Sequence, residues 1–393
     1  MRTSRRTILF FNWFSAGLFT PVLGLLLLER GCTLETLPLV AAIHAAVAIA
    51  AEMPSGVLAD LRGRKRTFLI SCALYGTSMV WILCSRSFWA LLAGFAIHGL
   101  GRAFASGSLD ALFVEECLRE KGESSLATVT GQLSLWQTLG LTAGAVVGGA
   151  LPNWHGYALH IMLRLVLLAF TAVLCALLVG EGRGPEREER VTLRSYLSQG
   201  WETARGNRVL AGLLLGFLAS GAVLSLIEIY WQPAFAAMAT ASERPFMGVV
   251  SAAGFLAATL GNLAVRRVSG GEWRGYLLLR LLLTGLVGLL ALQDGVPGFM
   301  AAYVGVYLVI GGGDVMEQTL LNRAVSDGQR AGFLSVTSLV AQLGGLAAGG
   351  ISSVLVGHAG ISGLFLVGGA AVLAAALGAA ALGRRRAEEP APL

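Results

Sequence analysis

Twelve stretches of this chain are long and apolar enough to cross about 30 Å of hydrocarbon. They lie at 7–28, 36–58, 67–85, 88–113, 125–151, 157–180, 209–231, 245–265, 275–292, 297–320, 331–356 and 361–383. Nothing constrains the fold more. In lipid every backbone N–H and C=O must be satisfied within its own segment, so each stretch is expected to be a helix. A soluble chain of 393 residues with 55% hydrophobic and 13% charged residues could not cover its apolar surface, so the solvent must be lipid. The 52 glycines suit close helix-to-helix packing where hydrophobic collapse is absent.

The charges orient the spans. With the amino terminus taken as cytoplasmic, 23 of the 29 Lys and Arg residues fall in inner segments. The outer loops hold only Arg30, Arg86 and Arg244, and Arg102, Arg164 and Arg280 lie within spans. Both termini are therefore expected in the cytoplasm of a plasma-membrane protein. The net charge of +6 follows this topology and does not imply nucleic acid. The basic start, Met1 to Arg6, leads into an apolar run without a convincing cleavage site, so an uncleaved first span is expected. Cys32, Cys72, Cys84, Cys117 and Cys175 show no metal spacing and read as buried small hydrophobes.

One polar segment, 181–208, divides the spans six and six. The expected domains are a bundle at 1–180, a linker at 181–208, a second bundle at 209–383 and a tail at 384–393. Within the linker, Leu193, Tyr196, Leu197, Trp201 and Ala204 follow the spacing of an amphipathic surface helix. The halves echo each other: Gly56–Arg62 resembles Gly261–Arg267, and Gly131 with Gly148-Gly149 matches Gly332 with Gly349-Gly350. Such duplication predicts two pseudo-symmetric six-helix bundles rocking about a central cavity. Val265 stands where the first copy has Asp60, so the stronger gate is expected in the first half.

Between spans 2 and 3 runs Gly56-Val-Leu-Ala-Asp60-Leu-Arg62-Gly63-Arg64-Lys65-Arg66, a carboxylate and four cations at a membrane boundary. Charge there must pair or be hydrated, which suits a latch. The run resembles the signature of the major facilitator superfamily at Gly56, Asp60, Gly63, Arg64 and Lys65, and the resemblance extends over nearly the whole chain. Glu52-Met-Pro54 just before it resembles a subgroup with an acid and a proline ending helix 2. The span around Arg102-Ala-Phe104 resembles the family's helix 4 arginine motif. The run Gly140–Gly149, with Gly140, Gly144, Gly148 and Gly149, is similar to the signature of the bacterial drug and metabolite exporter branch, with Ala145 in place of proline. The resemblance implies an all-α membrane fold of twelve helices and a latch closing on an acid of span 4, for which Asp110 and Glu115 are the candidates. It also implies a coupling role for Arg102.

Other ionisable residues within spans are candidates for substrate or proton binding. An unpaired Arg102 would cost at least about 2.5–3.5 kcal/mol in mid-membrane, so it must face a cavity or pair with Asp110, two turns on, or with Glu52. Asp314 and Glu317 share a face of span 10, where each raises the other's proton affinity, and the preceding Gly311-Gly312-Gly313 could let the helix bend. Glu228, beside Tyr230 and Trp231, resembles a cation-attracting vestibule. His160 and Arg164 share a face and could bind an anion, whereas His44 and His98 are read as packing residues. The glycines of spans 5 and 11 fit close packing between the bundles.

No Gly-x-x-x-x-Gly-Lys-Ser/Thr run, metal cluster or catalytic triad is present, so neither ATP use nor enzymatic chemistry is expected, and no cofactor beyond a proton gradient. The leading expectation is a monomeric, proton-coupled exporter of an amphipathic or cationic small molecule, with protons and membrane lipid as its other partners. The alternatives are an importer or uniporter of an anionic solute held by Arg102, Arg164 or Arg280, and a transporter-like receptor or lipid-handling protein without ion coupling.

Overall fold

The computed structural model describes residues 1–152, 156–180, 207–265, 272–325 and 327–384. Among them the regular elements are helices: α1 Thr3–Gly17, α2 Leu23–Glu29, α3 Leu37–Arg62, α4 Arg64–Cys84, α5 Phe88–Ala105, α6 Leu109–Lys121, α7 Leu126–Ala150, α8 Ala158–Leu178, α9 Arg208–Met238, α10 Phe246–Val265, α11 Glu272–Ala291, α12 Val296–Ala324 and α13 Asp327–Arg384. Nine helical stretches of the described residues are long and apolar enough to span a membrane, one of them (Val336–Leu382) long enough for two passes. The fifth apolar stretch, α7, is not among the nine. The expected linker helix, the tail and Arg266-Arg267 lie outside the described residues.

Three spans depart from single straight helices. The first is broken into α1 and α2 across Leu18–Val22, where Pro21 lacks the N–H that a continuing helix needs. The fourth is interrupted at Ser106-Gly107-Ser108, with Gly107 at φ +66°, and then runs on as α6. At about 1.5 Å per residue an unbroken 58-residue α13 would far exceed a bilayer. It is instead two helices joined through Gly360 (φ 63°, ψ 179°), a conformation that needs glycine.

The contacts divide the chain into two compact units, Met1–Glu188 with Ala239–Phe255, and Glu189–Met238 with Leu256–Leu393. In the first, Ile8, Phe68, Leu112, Phe113, Val129 and Cys175 pack together from α1, α4, α6, α7 and α8. In the second, Leu210, Leu213, Tyr276, Leu321, Phe333 and Ala379 do so from α9, α11, α12 and α13.

The glycine stripes turn out to pack within each unit. Spacing by four puts Gly140, Gly144 and Gly148 on one face of α7, and that face lies against α1. A methyl at 140 would sit 2.6 Å from the Phe10 carbonyl oxygen, and at 144 and 148 it would overlap those of Phe14 and Leu18. Gly149 faces Gly248, also in the first unit. In the second unit Gly344 lies on the Leu218 carbonyl and Gly221 on that of Ala341, joining α9 to α13. The expected between-bundle role is thus corrected for Gly140, Gly144 and Gly148, because their partner is the first helix of their own unit.

Candidate functional site

The charged run is less a loop than two helix ends. α3 continues to Arg62 and α4 begins at Arg64, so Gly63 alone joins them, at φ 96° and ψ 143°. This sharp turn aims Arg64 at α6: its guanidinium meets Glu115 at 2.7 Å and donates to the Gly107 carbonyl at 2.9 Å. Lys65 donates to the Ala176 carbonyl at 2.8 Å near the end of α8. Of the two candidate acids, Glu115 is the one bonded to Arg64. Asp110 is exposed and has no ion pair among the described residues. Gly56 and Asp60 are exposed on α3, and Asp60 has neither the expected bond to Arg64 nor another partner there.

α6 is gripped from a second direction that sequence reasoning missed. Arg5, 4% exposed, donates through Nε to Glu116 at 2.8 Å, with a second nitrogen on the same carboxylate, and through Nη1 to the Leu178 carbonyl at 2.7 Å. Arg2 pairs with Glu120. A bidentate, part-buried pair is stronger than a surface one, so Arg5 ties α1, α6 and α8 together. The spacing Glu115-Glu116…Glu120 on a short helix after a Ser-Gly-Ser break was the available signal.

Deeper in the first unit the structure gathers residues that the sequence scatters. Arg164 of α8 lies over the Phe19 ring at 4.9 Å and the Tyr75 ring at 5.5 Å, and bonds His98 Nε2 at 3.3 Å. The His98 ring is 4.7 Å from Tyr75 and 5.1 Å from His44. Two glycines set these distances. Gly99 brings α5 onto the His44 backbone, where a methyl would sit 2.5 Å from the carbonyl oxygen, and Gly101 leaves room for Tyr75, 3.0 Å from an added methyl. Arg102, one turn beyond His98, is exposed and unpaired among the described residues. The expected Arg102–Asp110 pair is corrected, because the break at Ser106–Ser108 puts Asp110 on a separate helix. Glu52 is exposed and forms no ion pair there either. His160 is separated from Arg164 in role, its Nε2 lying 2.7 Å from the Gly148 carbonyl.

The second unit holds the acids. Glu317 of α12 is wholly buried and pairs with Arg280 of α11, which lies over the Tyr276 ring at 5.1 Å. Gly216 of α9 makes the space: a methyl there would overlap the Tyr276 hydroxyl and sit 3.0 Å from Glu317 Oε1. The second carboxylate oxygen, Oε2, is buried without a donor. Asp314, one turn back on the same helix, is exposed, and Glu317 has in addition the Arg280 partner that its own helix does not announce. α12 is one unbroken helix through Gly311 to Gly313, and Gly311 packs on the Ala258 carbonyl. Glu228 accepts from the Tyr307 hydroxyl beside a ring series in which Trp231 lies 5.0 Å from Tyr303, and Tyr303 4.7 Å from Tyr307.

Residues 7–328 match the family model described as the Major Facilitator Superfamily. The structure resembles the nucleoside transporter NupG, with a TM-score of 0.81 at 14% identity over 97% of this chain and 98% of that one. It also resembles a bacterial homolog of the human lysosomal transporter Spinster in an inward-facing, occupied conformation, with a TM-score of 0.76 at 14% identity over 99% and 98%. A vacuolar membrane amino acid uptake transporter, fnx2 of Schizosaccharomyces pombe, is 27% identical over 121 residues, or 30% of this chain. The matched part is 20% of that relative's length.

Proposed function

Because the chain belongs to the Major Facilitator Superfamily, whose members here include carriers of nucleosides and amino acids by their descriptions, we propose that it is a proton-coupled secondary transporter. It moves a small organic solute across the plasma membrane by alternating access, with both termini in the cytoplasm. The Arg64–Glu115 pair, framed by Asp60 and Gly63, acts as an inner latch of the first unit, and Arg102 faces the transport path.

One observation carries the coupling. Glu317 has one buried oxygen on Arg280 and the other with no donor. A proton has a vacant acceptor there, and taking it removes the charge that holds Arg280. Such a pair has two states that a proton gradient can bias. Export of an amphipathic compound is supported by the resemblance of Gly140–Gly149 to the exporter signature. A cationic cargo has less support, since Glu317 and Glu228 are already engaged by Arg280 and Tyr307.

Proteoliposomes carrying the full chain, with radiolabelled benzoate, phenylalanine and uridine as probes, test the coupling. Flux of the transported probe should rise several-fold when a pH gradient is imposed and return to its baseline on addition of an uncoupler. Flux that ignores the gradient would make the protein a uniporter.

A further inference from the structure

We propose that Arg164 is the anchor for a carboxylate borne by an amphipathic solute, bound inside the first unit between α3, α4, α5 and α8. The inference rests on the transport reading and names the substrate class.

Arg164 is 7% exposed, yet no carboxylate lies within ion-pair distance of it among the described residues. The contrast with the second unit is direct, since Arg280 is equally buried at 5% exposed and has Glu317. Rings at 4.9 and 5.5 Å offset part of the cost of burying Arg164, but rings do not accept its N–H bonds in the guanidinium plane. Its Nε has no partner.

The histidine beside it adds a second unmet donor. A guanidinium has only donors, so His98 Nε2, 3.3 Å from Arg164 Nη2, must offer its lone pair. The imidazole is then neutral with its proton on Nδ1, and that buried Nδ1 also has no partner. His44 Nε2, on the facing helix, is a third buried nitrogen without one. A buried cation with two buried N–H groups lacking acceptors, Arg164 Nε and His98 Nδ1, is complemented by an anionic acceptor. Arg102, one turn along α5, adds a second positive charge of the same sign.

The surroundings choose among anions. Phe19 and Phe95 are 4% and 5% exposed, and Tyr75 flanks the guanidinium. These faces suit an apolar or aromatic body more than a hydrated inorganic ion. His44, Tyr75 and His98 are each part-exposed, so the buried guanidinium borders residues that reach the surface.

The test uses the purified full chain and matched probes that differ only in charge: benzoate against benzamide, hexanoate against hexanamide, and N-acetylphenylalanine against its amide. Binding is followed by thermal midpoint and by tryptophan fluorescence, with sodium chloride and phenyl phosphate as further arms. At least one acid should bind about tenfold or more tighter than its amide, a difference of ~1.4 kcal/mol, and Arg164→Gln should abolish that preference. Arg164→Lys should retain part of it, as a point charge without the planar fork. If Arg164→Gln does not fold, the acid–amide comparison in the unaltered chain still decides. Equal binding of every acid and its amide, or equal protection by chloride, overturns the proposal, and tighter binding of phenyl phosphate than of all three acids replaces carboxylate by phosphate. Gradient-driven flux without acid preference would sink this inference and leave the transport reading standing; acid preference without gradient response would uphold this inference and sink the proton coupling.

Discussion

Glu317→Met is expected to be the most damaging single change among the charged residues. Methionine fills much of the glutamate volume but deprives Arg280, 5% exposed, of the carboxylate it pairs with. Breaking a buried pair from one side costs about 3–5 kcal/mol. The thermal midpoint of the purified protein should fall sharply, or the variant should fail to accumulate. Arg280→Met combined with Glu317→Met should recover most of the loss, because no buried charge is then left unpaired. Transport should be absent from both. If the single and double variants were equally unstable, the pair would be packing like any two side chains, and its proposed role as a proton-operated element would lose its basis.

The second large effect turns on a methyl group placed at two glycines of one helix. At Gly131 an added Cβ meets nothing within 4 Å, whereas at Gly148 it overlaps the Leu18 carbonyl oxygen and crowds the Leu18 backbone. Gly131→Ala should therefore be neutral or gain up to about 1 kcal/mol from helix propensity. Gly148→Ala must push α7 away from α1 along its length, since backbone cannot yield as a side chain does, and should cost about 1–3 kcal/mol or more. Gly144→Ala, against the Phe14 carbonyl, should behave like Gly148→Ala. Thermal midpoints and expression levels check the comparison; the same shift at 131 and 148 would mean that the α1–α7 approach is looser than drawn.

Much of this architecture is legible in the chain because lipid leaves few options. Apolar length and the need to satisfy backbone groups place α3, α4, α8, α10, α11 and α12 within a few residues of their apolar stretches. The breaks were harder to read. Pro21 and Ser106-Gly107-Ser108 sit inside the first and fourth apolar stretches, and a window that averages apolarity does not register a lost N–H or a positive φ. The Gly63 turn was legible as a motif, and its effect of handing Arg64 to Glu115 was narrowed to two acids.

Side-chain partnerships across helices were mostly hidden, Arg64 with an acid of the fourth span being the exception. His44, Tyr75, His98 and Arg164 come from four helices; the sequence reads the two histidines as packing residues and joins Arg164 to His160 as an anion site, whereas the structure joins Arg164 to His98 and Tyr75. Asp314 and Glu317 share a helix and were coupled on that ground, yet the partner that matters, Arg280, sits on the neighbouring one. Gly140, Gly144 and Gly148 announced a close approach by their spacing, without naming α1 as the helix that approaches.

The two buried arginines also have different electrical consequences. While Glu317 is ionised, its charge and that of Arg280 cancel, so the membrane voltage exerts no net force on them as a pair. Arg164 has no such companion among the described residues, and without a ligand it is a lone positive charge within the field. A charge carried through the full field gains or loses about 2.3 kcal/mol per 100 mV. With an anion in place that local charge is neutralised. Under the transport reading proposed above, the membrane potential would then act on Arg164 only while its site is empty.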